Sequence, residues 1–122
     1  MGNLWSLIIE DDVDLASAFT EILELSGLRT ELVQNGSLAL KRLENVEPDM
    51  VLLDLHLPEV SGVEIFNYIR SEKRLENTRV VIISADVVRA EQLEGKADLV
   101  LIKPARLADL FGLVDRLFPD HQ

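Results

Sequence analysis

The chain has 122 residues, 48% of them apolar, with no cysteine and a formal net charge of −10 at pH 7. This length suits a single domain over residues 1–122, and the lack of cysteine excludes disulfides and thiolate metal sites and fits a cytoplasmic protein. The negative charge opposes direct nucleic-acid binding, and no apolar run is long enough for membrane insertion.

Apolar runs with strand character alternate with helical patterns in the first half of the chain. The first strand is predicted over residues 4–9, followed by an amphipathic helix that ends near Gly27. Alternating apolar and polar residues at 28–33 predict a strand at a sheet edge, and a second helix is predicted from Gly36 to about Asn45. The apolar face of the first helix consists of Leu15, Phe19, Ile22 and Leu23.

The second half continues this alternation. Residues 49–55 are apolar almost throughout, which is typical of a central parallel strand covered on both faces. Ser61 and Glu64 form a capping box for a third helix, and strands are predicted at 79–84 and 99–102, separated by a short fourth helix. The inward-facing residues of the third and last helices are Val63, Phe66 and Ile69, and Leu107, Leu110, Phe111, Val114, Leu117 and Phe118, with Pro119 ending the last helix.

Polar residues follow the predicted strands at the points where they end. Strictly alternating strands and helices predict an α/β domain with a doubly wound, five-stranded parallel sheet and helices on both faces. In such folds ligands bind beyond the carboxyl ends of the strands. The residues at these ends are Glu10, Asp11, Asp54, Ser84 and Lys103.

The chemistry of these residues suits phosphoryl transfer. Three carboxylates offer only oxygen ligands, which favours a hard ion such as Mg²⁺. Lys103 and Ser84 offer a positive charge and a hydroxyl donor for a phosphoryl group, and Asp54 is the candidate nucleophile that forms an acyl phosphate. A single acid, lysine or serine at a strand end is usually a cap, a turn or a surface residue, as Asp12 is for the first helix. The convergence of several favours the functional interpretation.

The segments LIIEDD, VLLDLHLPEVSG, VVIISA and LVLIKPA resemble the successive motifs of response-regulator receiver domains, over nearly the entire chain. The resemblance implies a flavodoxin-like domain with strand order 2-1-3-4-5. It also implies a signalling module rather than an enzyme, with self-catalysed phosphoryl transfer and autodephosphorylation only. Its partners would be a sensor histidine kinase or phosphotransfer protein and a downstream effector protein or domain.

The resemblance also assigns roles to individual residues. Asp54 matches the phosphoacceptor, and Mg²⁺ would be held by Glu10, Asp11, Asp54 and the backbone carbonyl of His56, with Asp11 a direct ligand. The other matching residues are Ser84 as the switch residue, Lys103 as the phosphate-binding lysine, and Pro104, which should follow a cis peptide bond.

The chain departs from the family pattern on the side that reports phosphorylation. Val100 stands where receivers with the usual switch tend to carry Tyr or Phe, and the stretch from Ser84 to Lys103 is shorter than is common. His56 and Asp86 occupy positions that flank the path of the attacking water in the family. Their charges could attract across the mouth of the site, or both side chains could point into solvent.

Three other functions fit parts of the sequence. Haloacid-dehalogenase-type phosphatases use a strand-end Asp, but they need a second Asp where His56 stands. A flavodoxin-like electron carrier needs a hydroxyl-rich loop after the first strand, where EDD would repel a flavin phosphate. A receiver-shaped interaction domain with altered or phosphorylation-independent output is supported by Val100 and the short fourth helix.

Overall fold

The computed structural model describes residues 3–104 and 107–120. The strands are β1 (Trp5–Ile9), β2 (Arg29–Val33), β3 (Met50–Asp54), β4 (Arg79–Ser84) and β5 (Leu99–Ile102). The helices are α1 (Val13–Leu25), α2 (Gly36–Leu43), α3 (Gly62–Ser71), α4 (Val87–Leu93) and α5 (Leu107–Leu117), with a 3₁₀ turn at Lys73–Leu75. All five strands are parallel in the order β2-β1-β3-β4-β5, which confirms the predicted fold class and strand order. None of the described helices is long and apolar enough to span a membrane.

Two apolar layers cover the sheet, one on each face. Successive side chains of a strand point to opposite faces, so Leu7 and Leu53 belong to one layer and Ile8 and Leu52 to the other. The first layer packs under α2, α3 and α4, and the second packs under α1 and α5. Every residue of β3 is buried, because this strand lies between β1 and β4 and an apolar layer covers each of its two faces. The near-continuous apolar run at 49–55 is explained by this double coverage.

Local hydrogen bonds fix where the helices begin and end. The N-cap side chains accept a backbone N–H from the third residue beyond them, and these caps are Asp12, Asn35, Ser61 and Asp86. Helix α1 ends at Leu25, near the predicted end, and Gly27 follows with a φ of 98°, the left-handed conformation that glycine adopts freely. The N–H of Leu28 donates to the Leu23 carbonyl at 3.0 Å, which completes a Schellman motif.

The predicted apolar stripe of α5 is wrong at one position. Leu110, Leu113 and Val114 are buried, whereas Phe111 is 49% exposed. The buried residues stand at i, i+3 and i+4, and one residue is about 100° of rotation, so Phe111 lies beyond the edge of the packed face. The side chain of Leu107, which the stripe also included, lies outside the described residues.

The loop after β3 packs against two glycines, each of which is the first residue of a helix. The N–H of Gly62 donates to the Leu55 carbonyl at 3.0 Å, and a Cβ on Gly62 would overlap the Asp54 carbonyl oxygen and Leu55 Cα. A Cβ on Gly36, the first residue of α2, would overlap the Val60 carbonyl. The first residues of α2 and α3 therefore both contact the backbone of this loop. Only glycine fits at these two positions, because a Cβ would overlap the loop backbone.

Replacing Gly62 by Ala should lower the free energy of unfolding by about 2 kcal/mol, because backbone rather than a flexible side chain fills the space. The matched control is Gly112→Ala, since Gly112 is exposed within α5 and its Cβ would meet nothing within 4 Å. That change should raise stability by about 0.5–1 kcal/mol. Urea denaturation of both variants tests the pair, and equal midpoints would contradict the steric argument.

Candidate functional site

The carboxyl ends of the strands bring the predicted site residues to one edge of the sheet. Glu10 and Asp11 follow β1, Asp54 and Ser84 end β3 and β4, and Lys103 follows β5. The carboxylates of Glu10, Asp11 and Asp54 each offer an oxygen, and these three oxygens lie within 4.8 Å of one another. Residues distant in the sequence thus form one acidic cluster.

Lys103 supplies the positive charge in this cluster. Its Nζ lies 3.2 Å from Asp54 Oδ2 and 3.4 Å from Glu10 Oε1, and both acids are almost fully buried. Partial burial of the ammonium opposes its charge, but the two carboxylates outweigh this and raise the pKa of Lys103 above its ordinary value. A single ammonium thus faces two buried acids, and Asp11 adds a third, exposed one.

Glu10 is an acid whose pKa is raised by its surroundings. Burial, with a further contribution from the neighbouring Asp54 carboxyl, raises its pKa from 4.5 to about 7. The N–H of Asp12 donates to Glu10 Oε2 at 3.2 Å and acts in the opposite direction. Glu10 Oε1 is buried and accepts no hydrogen bond from the described residues, although Lys103 Nζ is near. A buried carboxylate oxygen that accepts no hydrogen bond can serve as a ligand of a cation.

The donor set fits a hard divalent cation. The available ligands are carboxylate oxygens from three residues, one of them the orphaned Glu10 oxygen, and the local charge is negative. Mg²⁺ binds such oxygens, usually together with several waters and substrate phosphates. Zinc sites instead use mainly cysteine and histidine, which this cluster lacks.

Asp54 is held by donors on both of its oxygens. The main-chain N–H of His56 donates to Asp54 Oδ1 at 3.0 Å, and Lys103 Nζ donates to Oδ2 at 3.2 Å. These contacts fix the plane of the carboxylate at the strand end. The His56 residue is itself exposed, and the ligand role of its carbonyl stays a prediction.

Ser84 is buried at the end of β4 and is engaged with the start of α4. Its Oγ accepts the N–H of Asp86 at 2.9 Å and donates to the Asp86 carbonyl at 3.4 Å. The Asp86 carboxylate caps α4 through the N–H of Arg89 and lies 3.7 Å from Arg89 Nε. No ion pair within 4.0 Å joins His56 to Asp86, whose carboxylate is engaged by the cap and by Arg89. An attraction between His56 and Asp86 stays a prediction.

Helix α4 and strand β5 contain the departures from the family pattern. Helix α4 has seven residues, of which only Ala90 and Leu93 are buried, so the predicted short fourth helix is confirmed. Val100 is half-buried on β5 and packs against the apolar layer under α3. The bond between Lys103 and Pro104 is cis, as predicted.

Sequence reasoning began the second helix at Gly36 but missed that Gly36 and Gly62 pack closely on the loop beside Asp54. Gly36 and Gly62 are each the first residue of a helix and directly follow an N-cap side chain. Glycine is a poor helix former, so its occurrence at both starts was the available signal. Arg89 was also missed, because its place beside Asp86 depends on the turn of α4.

Comparison with known proteins identifies the family. A model of the response regulator receiver domain matches residues 6–115. The chain is 29% identical over 101 residues to the polar-differentiation response regulator DivK of Brucella anthropi, covering 80% of this chain and 82% of DivK. It is 33% identical over 113 residues to the DNA-binding response regulator MtrA of Mycolicibacterium smegmatis, covering 88% of this chain but 47% of MtrA. The chain thus spans about half the length of MtrA.

Solved structures show the same fold. The receiver domain from Methylobacillus flagellatus superposes with a TM-score of 0.84 at 26% identity, covering 95% of this chain and 99% of that one. The response regulator TrrA of Thermotoga maritima, solved in complex with Mg(2+)-BeF, gives a TM-score of 0.81 at 25% identity, covering 93% and 98%. This chain therefore belongs to the response regulator receiver domain family.

Family membership favours the receiver interpretation over two of the functions that the sequence left open. Receiver domains are signalling domains that interact with histidine kinases and effectors, and the cluster of Glu10, Asp11 and Asp54 fits their phosphorylation site. The phosphatase and electron-carrier alternatives are not supported. The expected lack of nucleic-acid binding is not supported either, because the relative MtrA is a DNA-binding response regulator.

The buried Glu10 predicts a pH dependence of stability in the metal-free protein. Its folded-state pKa of about 7 exceeds the ordinary 4.5, so the folded state binds the proton more tightly. The contribution of Glu10 to the free energy of unfolding should be highest below pH 4.5 and fall as the pH rises to about 7. The fall is on the order of 3 kcal/mol at 1.36 kcal/mol per pKa unit.

Urea denaturation in EDTA across this range measures the effect. Glu10→Gln should flatten the profile and stabilise the protein at pH 8, because the amide carries no charge. Glu91→Gln, a change at an exposed position of α4, should keep the wild-type slope. A Glu10→Gln profile as steep as that of the wild type would contradict this assignment.

Proposed function

We propose that this chain accepts a phosphoryl group on Asp54 from the histidine of a sensor kinase or phosphotransfer protein. An oxygen of Asp54 attacks phosphorus, the phosphorus–nitrogen bond of the phosphohistidine breaks, and the histidine leaves with its electron pair. The observation that carries the proposal is the placement of the Asp54 carboxylate between the His56 N–H and the Lys103 ammonium, inside an acidic cluster.

The residues around Asp54 suit the charge that this reaction places there. Lys103 lies against Asp54 and can hold a phosphoryl oxygen, while the buried hydroxyl of Ser84 can donate to another. We assign a Mg²⁺ site to Glu10, Asp11, Asp54 and the His56 carbonyl, and the ion supplies positive charge to an anionic transferring group. Hydrolysis by water then restores the Asp54 carboxylate and releases phosphate. The chain's chemistry is thus confined to its own phosphorylation and dephosphorylation.

Intact mass after incubation with Mg²⁺ and acetyl phosphate, without a kinase, tests the proposal. The wild type should gain one phosphoryl group, and Asp54→Asn should gain none. The matched control is Asp12→Asn, which lies beside the cluster and keeps a side chain that caps α1. Asp11→Asn should remove the dependence on Mg²⁺ together with most of the labelling. An unmodified wild type, or a labelled Asp54→Asn, would contradict the proposal.

We further propose that the phosphorylation signal reaches an effector through α4. The Ser84 hydroxyl is hydrogen-bonded to the backbone of Asp86, the residue that caps α4. If this hydroxyl turns to a phosphoryl oxygen, the Asp86 loop loses that hydrogen bond and the first turn of α4 loosens. Val100 offers no ring to fill the space that Ser84 leaves. An output that does not depend on phosphate is the second candidate, and the small, aliphatic Val100 is the observation that favours it.

Hydrogen exchange with and without beryllofluoride and Mg²⁺, a phosphoryl mimic, distinguishes these outputs. Exchange of the amides at 86–93 should increase, because α4 buries only two side chains and depends on its cap. Ser84→Ala should bind the mimic but lose most of this change. Unchanged exchange at 86–93 in the wild type, with the mimic bound, would favour the phosphate-independent output.

A further inference from the structure

The strand β2 leaves one edge of the sheet open. The N–H of Arg29 donates to the Leu4 carbonyl, and the Val33 carbonyl accepts the N–H of Glu10, so the odd-numbered residues of β2 bond towards β1. The intervening residues Thr30 and Leu32 therefore direct their N–H and C=O groups away from the sheet. No other described strand pairs with this edge. Such a row of backbone groups is a template for another strand.

A groove lies on each side of this edge, and the two carry opposite charge. On the α2 side an open groove of about 700 Å³ is lined by Lys41 and by Arg42, which pairs with Glu31, and Lys41 gives this side its positive charge. On the α1 side a groove of about 440 Å³ includes Glu21 and Glu24 and no cation. Leu32 borders both grooves. This separation of charge stands out on a chain with 22 acidic and 12 basic residues.

A strand added to β2 would place its side chains alternately in these grooves, because successive side chains of a strand point to opposite faces. We propose that the β2 edge binds an extended segment of a partner protein in which acidic and basic residues alternate. The acidic residues face Lys41, and the basic residues face Glu21 and Glu24. An apolar side chain of the segment can contact Leu38, which is 54% exposed in the α2-side groove.

Lys41 is the natural anchor for the acidic face of such a segment. Arg42 already pairs with Glu31 at 2.6 Å, whereas no ion pair within 4.0 Å engages Lys41 among the described residues. On the other face, Glu24 accepts the Thr30 hydroxyl at 2.8 Å, which leaves most of its carboxylate open to a cation. This site uses none of the residues assigned to phosphoryl transfer.

A second copy of the chain is a poorer occupant than a partner with alternating charge. Each copy carries a net charge of −10, so association must overcome mutual repulsion. Arg29 and Glu31 are two positions apart, so they share one face of β2 and mix the charges there. A β2 strand therefore cannot present acids to one groove and bases to the other.

Capped peptides of about eight residues, the length of an ordinary strand, serve as probes. One peptide alternates Glu and Lys around a central Val, and the second has the same composition with its charges in two blocks. Titration should shift the backbone amide NMR signals of Thr30 and Leu32 with the alternating peptide. The block peptide should bind at least about tenfold more weakly, since it cannot match both grooves.

Two charge reversals locate the site. Lys41→Glu should weaken binding of the alternating peptide at least about tenfold, whereas Lys96→Glu, the same change at an exposed residue between α4 and β5, should not. Phosphorylation by acetyl phosphate should be equal in both variants, which reports their folding. Equal binding of the two peptides, or amide shifts confined to other segments, would overturn the proposal. Self-association of the free chain with exchange protection at Thr30 and Leu32 would also overturn it.

Discussion

The contact of Lys103 with the buried carboxylates of Glu10 and Asp54 is the interaction on which the rest of the site depends. Buried acids repel each other and lose hydration, so they persist only near a compensating charge. One ammonium at 3.2 Å and 3.4 Å offsets part of this cost, and the raised pKa of Glu10 reflects the part that remains. The protein thus keeps an electrostatic imbalance at the edge of its sheet, and that imbalance suits the site to a cation and a phosphoryl group.

The fold and the position of the site were predictable because both follow from short-range patterns. The apolar run at 49–55 indicates a strand with neighbours on both sides, and the alternation at 28–33 indicates an edge strand. Parallel strands place their carboxyl ends together, so the acids that follow β1 and the acid that ends β3 lie close to one another. The caps at Asp12 and Ser61 are equally local, since each involves a backbone N–H three residues away.

Features that depend on three-dimensional packing were not predictable in the same way. Phe111 has the spacing of a buried residue, but the face of α5 that packs on the sheet contains Leu113 instead. By charge, the carboxylate of Asp86 could pair with His56 or with Arg89. The first turn of α4 places Arg89 beside it. The opposite charges of the grooves beside β2 come from α1 and α2, which no single sequence window connects.

The loop after β3 and the turn after α4 differ in their tolerance of a change in length. The loop after β3 is held by backbone contacts from Gly36 and Gly62, so an inserted residue would have to displace the start of α2 or α3. The turn after α4 contains Gly95 at φ 86°, with open space around its Cβ position. Insertions in this family should therefore accumulate near Gly95, and the loop beside Asp54 should keep a fixed length. A fluorescent label or a fused peptide accordingly belongs at the Gly95 turn, where it leaves the phosphorylation site intact.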